Sequence, residues 1–261
     1  MPSDAPLPAE SLAELRARID EVDTRLLAAV SERAEIARLV GEAKLAADPD
    51  AGGQPVHRPA REAMLIRSLI ARYRGPMNLH AIHAIWRELI GASIGIQKAM
   101  TIATADSAAD LAARQHFGAS QYYTWAASPI ADVKGGQADI ALFSVMDAGA
   151  WTATADLLAA RDDCTLLWRL PFTMPGAPWV AVGRGIADDS GMDLTVALTD
   201  SENAARHPAV ETLCALPDGR AVIAVAGAFD NAMLESILSD DDQAPAATVQ
   251  RLGQWPAALE I

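Results

Sequence analysis

The chain has little that would tie it to a disulfide framework, a metal, a membrane or a nucleic acid. Its 261 residues include two cysteines, Cys164 and Cys214, in no CxxC or zinc-type spacing. A reduced, cytoplasmic setting is therefore expected, with no thiolate metal site. Five histidines, His57, His80, His83, His116 and His207, form no ligand spacing either. His80 and His83 share a helix face and read as surface residues. No apolar run reaches the ~20 residues needed to span a bilayer. The opening MPSDAPLPAES has no basic region followed by an apolar core, so it does not read as a secretory signal. An excess of positive charge is also missing. The formal net charge is −13, and its placement is uneven. The first hundred residues hold 13 basic and 13 acidic side chains, leaving 8 and 21 for residues 101–261. This argues against nucleic-acid binding, which needs basic surface. The break near residue 100 predicts two domains, 1–100 and 101–261.

What the first part does have is one long helical pattern, Leu12 to Lys44. Leu12, Leu15, Ile19, Val22, Leu26, Ala29, Arg33, Ala37, Val40 and Lys44 step by three and four, a heptad rhythm. Ser11 is placed to cap it, with Glu14 as the reciprocal partner. Its length, roughly 50 Å, calls for a partner helix. Two seam positions, Arg33 and Lys44, are basic, and cations drawn inward need counter-charges. An anionic substrate is expected to fill that role. The helix fades after Leu45 into AADPDAGGQP, a loop by composition. Pro59 opens a second helix, which Gly75-Pro76 stops. A third runs from about Leu79 to Met100, striped by Ile82, Ile85, Trp86, Leu89, Ile90, Ile96 and Met100. Three helices, one very long, predict an all-α, intertwined homodimer.

The polar residues of these helices have a geometry. Arg33 and Lys44 are 11 residues apart and share a face. Ser93 and Gln97, at i and i+4, do the same. Arg58, Arg61 and Glu62 sit where the second helix begins. Arg16 lies 17 residues before Arg33, roughly 25 Å away along the axis. It reaches the same small ligand only from a second chain. Each feature alone is ordinary for a solvated helix; the combination points to a binding site. Within the third helix, Gly91-Ala92-Ser93-Ile94-Gly95 matches the hydrolase G-x-S-x-G pattern. That motif needs a strand before it, and none is present. The glycines read as close helix packing.

LRARIDEVDTRLLAAVSERAEIARLVGEAK, PVHRPAREAML and IWRELIGASIGIQ, in that order, resemble the all-helical chorismate mutase family over about residues 10–100. The resemblance implies an intertwined dimer with two sites, each built from both chains, and rearrangement of chorismate to prephenate without metal or cofactor. By position, Arg16 would come from the partner subunit, and Arg33 and Lys44 would bind substrate within the chain. Lys44 would also lie near the breaking ether bond. Arg61 and Glu62 would lie at the second helix, Glu62 meeting the ring hydroxyl. Ser93 would touch a carboxylate and Gln97 the ether oxygen. Arg58 stands where some family members have an aspartate, and any contact there would be through its backbone. Lys44, Gln97 and Glu62 are the expected catalytic set.

Beyond residue 100 the rhythm changes to short apolar strands alternating with helices, which implies an α/β domain. Strands are expected at 101–105, 121–125, 139–145, 164–170, 179–183, 194–199, 221–225 and 249–252. Helices are expected at 106–116, capped by Asp106, and 151–160. Asp240–Asp242 reads as a solvated loop. AARQHFGAS, ADVKGGQADIALFSV and LWRLPF resemble prephenate dehydratase, a two-lobed fold like periplasmic binding proteins. Where that family has Glu-Asn-Ser, this chain has Phe143-Ser144-Val145-Met146-Asp147, and the family's Thr-Arg-Phe does not occur. The expectation is a degenerate domain without dehydratase activity, with RLGQWPAALEI a remnant of a regulatory end. Two alternatives stay open: a bifunctional mutase–dehydratase with an unusual site, and a pseudo-enzyme that binds aromatic amino acids.

Overall fold

The computed structural model describes residues 10–47, 57–200, 205, 207–238 and 248–261. The loop expected after Leu45 from residue 48 on, and the acidic run Asp240–Asp242, lie outside the described residues. Three helices come first: α1 (Leu12–Ala47), α2 (Pro59–Arg72) and α3 (Leu79–Lys98). Their starts follow from local chemistry. The Ser11 amide donates to the Glu14 carboxylate at 2.7 Å and the Glu14 amide donates back to the Ser11 hydroxyl at 3.3 Å, the expected reciprocal cap. Pro59 occupies the first turn of α2, where its missing N–H costs nothing. Asn78 caps α3 by accepting from the Ala81 amide at 2.8 Å.

The α/β part follows. It consists of β1 (Thr101–Thr104), α4 (Ser107–Phe117), β2 (Tyr122–Trp125), α5 (Pro129–Lys134), β3 (Ile140–Ser144), α6 (Ala148–Ala160), β4 (Cys164–Leu170), β5 (Trp179–Arg184), β6 (Asp193–Thr199), β7 (Val210–Ala215), β8 (Ala221–Ala226), α7 (Asn231–Leu238) and β9 (Val249–Pro256). The first sheet has the order β2-β1-β3-β5-β4, with β1 parallel to β2 and β3 and the other pairs antiparallel. The second, β7-β8-β6-β9, is antiparallel throughout. The sheets share a core in which Val196, Val222 and Trp255 of the second pack with Leu166, Val180 and Val182 of the first. The expected strands are present; α5, β7 and α7 were not anticipated. Phe143 and Val145 are core residues and Asp147 caps α6 through the Ala150 amide. These residues thus serve the fold. The segment RLGQWPAALEI begins within β9, paired along β6, so its first half is an integral strand.

The two parts share one packing layer. Ala63 and Ile66 of α2 and Ile90 and Ile94 of α3 are buried together with Ile102, Ile140, Leu142 and Trp168 of the first sheet. Each such large apolar side chain contributes on the order of 2 kcal/mol. Arg67 ties the layer further, donating to the Met192 and Ala257 carbonyls at 3.0 and 2.7 Å. α1 behaves differently. Ala37 is its one buried residue, whereas Leu12, Leu15, Ile19, Val22 and Leu26 are all more than 40% exposed.

Candidate active site

A cavity of about 280 Å³ opens where α1, α2 and α3 meet. Seven of the eight residues singled out from the sequence line it: Arg33, Lys44, Arg58, Arg61, Glu62, Ser93 and Gln97. Arg16, more than four turns up α1 from Arg33, does not. Ile36, Val40, Leu65 and Ile90 supply the apolar wall.

The polar side chains are fixed in pairs across helices. The Arg33 guanidinium donates to the Leu89 carbonyl at 2.6 Å and to the Ser93 hydroxyl. Ser93 in turn donates to Leu89 at 2.7 Å. About three turns further along α1 and one turn along α3, Lys44 Nζ donates to Gln97 Oε1 at 3.1 Å, and Gln97 Nε2 donates to the Ser93 carbonyl at 3.2 Å. Gly41 makes room: a Cβ there would stand 3.1 Å from Gln97 Cγ. The Gly91–Gly95 stretch lies inside α3, and no strand leads into it. A Cβ on Gly91 would meet the Phe117 carbonyl oxygen at 2.2 Å, so this glycine is close packing of α3 on α4.

The electrostatics favour an anion. Burial, followed by the charges of Arg58 and Arg61, lowers the Lys44 ammonium below its ordinary pKa. Burial alone lowers Arg33. Cations destabilised by one another and by partial desolvation are stabilised by a bound carboxylate. The Arg58 side chain is already engaged, donating to Asp188 Oδ2 through Nε at 3.0 Å and Nη2 at 2.5 Å.

Glu62 departs from the simplest sequence picture. It is buried, and both carboxylate oxygens have protein partners. Oε1 is 2.9 Å from His57 Nδ1 and Oε2 accepts from Arg87 Nη2 at 2.9 Å. Burial pushes its pKa up, but its close interactions with His57 and Arg87 outweigh this and hold it below the ordinary glutamate value. His57 and Arg87 were not singled out as site residues. Arg87 is 1% exposed, and the one available signal was its helical spacing from Ile90 and Ile94, which puts it on the buried face of α3.

A second hollow of about 430 Å³ lies between α3, α4 and the segment after β4, lined by His80, His83, Glu88, His116 and Phe172 among others. His83 is therefore not a plain surface residue. Burial and the Arg87 charge push it down to about 4. No group of three or more His, Cys, Asp or Glu suited to a metal occurs among the described residues. No described helix is long and apolar enough to cross a membrane.

The family described as Chorismate mutase type II matches residues 15–98, the segment that supplies every lining residue of this cavity. Similar proteins are bifunctional chorismate mutase/prephenate dehydratases. That of Stutzerimonas stutzeri is 31% identical over 115 residues, 43% of this chain and 32% of the relative. That of Aquifex aeolicus is 34% identical over 122 residues, 44% and 32% of the two chains. That of Neisseria gonorrhoeae is 30% identical over 159 residues, 58% and 42%. The match thus spans about a third of the length of the first two relatives. The last alignment is longer than the helical part and runs into the α/β part. No solved structure matches the chain. Residues 15–98 of this chain are a chorismate mutase type II domain.

Proposed function

We propose that this chain rearranges chorismate to prephenate within aromatic amino-acid biosynthesis, and that it does so as a homodimer with shared sites. The observation that carries the reading is the convergence of Arg33, Lys44, Ser93 and Gln97 from two helices onto one cavity, with Lys44 and Gln97 side by side. The rearrangement is intramolecular and needs no nucleophile. A site contributes by holding the compact diaxial conformer. It also contributes by placing fixed donors at the ether oxygen, where negative charge grows as the C–O bond breaks. Guanidinium groups suit the two carboxylates because they bind them in a bidentate manner. Arg33 supplies one such group here. Arg16 of the partner subunit would supply the other, since α1 exposes an apolar seam along the turns that carry it. Arg61 also lines the cavity. No metal or cofactor enters this scheme.

The α/β part is read as lacking dehydratase activity, because Phe143, Val145 and Asp147 are engaged in core and capping. The bifunctional names of the relatives supply the second reading. Both are tested on the full chain. Chorismate consumption with prephenate as product supports the first. Phenylpyruvate formation from added prephenate would replace it with the second. Binding of phenylalanine or tyrosine without chorismate turnover would instead support a sensor.

A further inference from the structure

A buried file of polar groups runs from the cavity into the first sheet. Glu62, 7% exposed, holds Arg87 on one oxygen and faces His57 on the other. His57 is fully buried, and its Nε2 accepts from the Trp168 indole N–H at 2.8 Å. Trp168 belongs to β4, 111 positions further along the chain, and is itself fully buried. Arg87 lies 5.5 Å from the Trp168 ring centroid and donates from Nε to the His116 carbonyl at 2.7 Å. Both ends of the file are therefore anchored in the α/β part.

The chemistry of these groups assigns the protons. An indole N–H donates only. The imidazole nitrogen facing it must be unprotonated, so the neutral ring carries its proton on Nδ1, towards Glu62. If Trp168 did not donate, either tautomer would be open, and the Nε2–H form would set two lone pairs against each other across 2.9 Å. We propose that His57 and Trp168 are positioning residues for the mutase cavity: Trp168 selects the His57 tautomer, and His57 then fixes the Glu62 carboxylate in the cavity wall. The α/β domain thereby acts as an outer shell of the active site. The proposal rests on the mutase reading above and on the placement of Glu62 at the ring hydroxyl. Outer-shell partners that orient metal ligands typically matter by about 10- to 100-fold, and the same orienting role is assigned to His57 here.

The test uses the full chain with Trp168→Phe, which keeps the ring and its burial but removes the N–H. His57→Leu and His57→Asn accompany it; the Asn amide can replace the Nδ1–H donor. Nitrogen-15 NMR of the histidines reports the tautomer, and steady-state kinetics use chorismate and an analogue lacking the ring hydroxyl. The wild type should carry the His57 proton on Nδ1, and Trp168→Phe should move part of it to Nε2. Trp168→Phe and His57→Leu should each lose about tenfold in kcat/KM on chorismate. His57→Asn should lose less, and none should lose as much on the analogue. A wild-type proton on Nε2 would overturn the relay, as would equal losses on both substrates, the mark of general damage to the fold. Should Trp168→Phe not fold, the His57 pair decides alone: equal activity of Leu and Asn overturns the proposal. A wild type without chorismate turnover fails the functional reading itself, which the tautomer measurement does not depend on.

Discussion

Lys44 Nζ stands 3.1 Å from Gln97 Oε1, joining two helices across the cavity. Both side chains sit on the same turn-spaced row as Arg33 and Ser93, so the four form two cross-helix pairs. Lys44→Ala and Gln97→Ala should each reduce kcat/KM for chorismate by on the order of 100-fold, the usual effect of losing one donor to a developing oxyanion. Neither should lower the melting temperature noticeably, since both side chains are at least partly exposed. Steady-state assays with parallel melting curves check this. Near-normal turnover in either variant would remove the pair from the chemistry.

The depressed Lys44 predicts a pH limb. Its charged form is disfavoured in the free chain by burial and by Arg58 and Arg61. The cation is needed for binding, so kcat/KM should fall as pH rises through a value below the ordinary lysine pKa of about 10.4. A bound dianion favours the cation, so the corresponding limb in kcat should lie higher. Full pH profiles of both parameters test the order; coincident limbs would speak against Lys44 as the titrating group. Gln97→Glu adds a second test: a carboxylate donates only when protonated, so that variant should gain activity towards acid, where the wild type changes little.

The cavity was readable because its residues lie on three amphipathic helices at fixed spacings. Ser11–Glu14 and Pro59 announce where the first two helices start, and period 3.6 then fixes which side chains share a face. Glu62's surroundings were not readable by the same means. His57 precedes the helix and Trp168 is in a strand of the other part, so no periodicity relates them. The strands β1, β3 and β6 stood out as apolar runs buried on both faces. β7 did not, because its Val210–Thr212 half is largely exposed and mixed in character. α5 is six residues long, too short for any helical stripe.

Gly41 and Gly91 should separate activity from stability. Alanine is the better helix former by about 1 kcal/mol, so Gly41→Ala should not lower the melting temperature. Its Cβ would nevertheless press on Gln97 Cγ at 3.1 Å, and turnover should drop several-fold. Gly91→Ala instead places a Cβ 2.2 Å from a backbone oxygen of Phe117. The helices must part, at a cost of about 1–3 kcal/mol, and thermal stability should fall. The reverse pattern in calorimetry and kinetics would contradict the packing described here.

Acid should destabilise the junction between the helices and the sheet. His83 is pushed down to about 4 and His116 is lowered too, in both cases by burial first and the Arg87 charge next. Unfolded histidines titrate near 6.5. Between pH 6.5 and about 4 the unfolded chain therefore binds protons that the folded chain does not, and stability falls with pH. Glu62, held below its ordinary value, contributes stability above the unfolded glutamate pKa that is lost at still lower pH. Urea unfolding from pH 7 to pH 5 should show the first loss, and His83→Gln should flatten it in part. An unchanged slope would mean that His83 titrates normally in the folded chain.

The distance between Arg16 and Arg33 yields the sharpest test of assembly. Seventeen residues of α1 separate them, roughly 25 Å, while the cavity holds Arg33 and excludes Arg16. If each site takes Arg33 from one subunit and Arg16 from its partner, Arg16→Ala and Arg33→Ala homodimers are both defective at two sites. A mixed dimer places both lesions in one site and leaves the other intact, as two-fold symmetry requires. Unfolding and refolding an equimolar mixture should give about half mixed dimers and so restore roughly a quarter of wild-type activity. Each site built within one chain would give no recovery, because every site in the mixture would then carry one lesion. The exposed Leu12–Leu26 seam makes the same point physically. Five large apolar side chains in a row on one helix are stable in water only when another surface covers them, and a second α1 brings Arg16 with it.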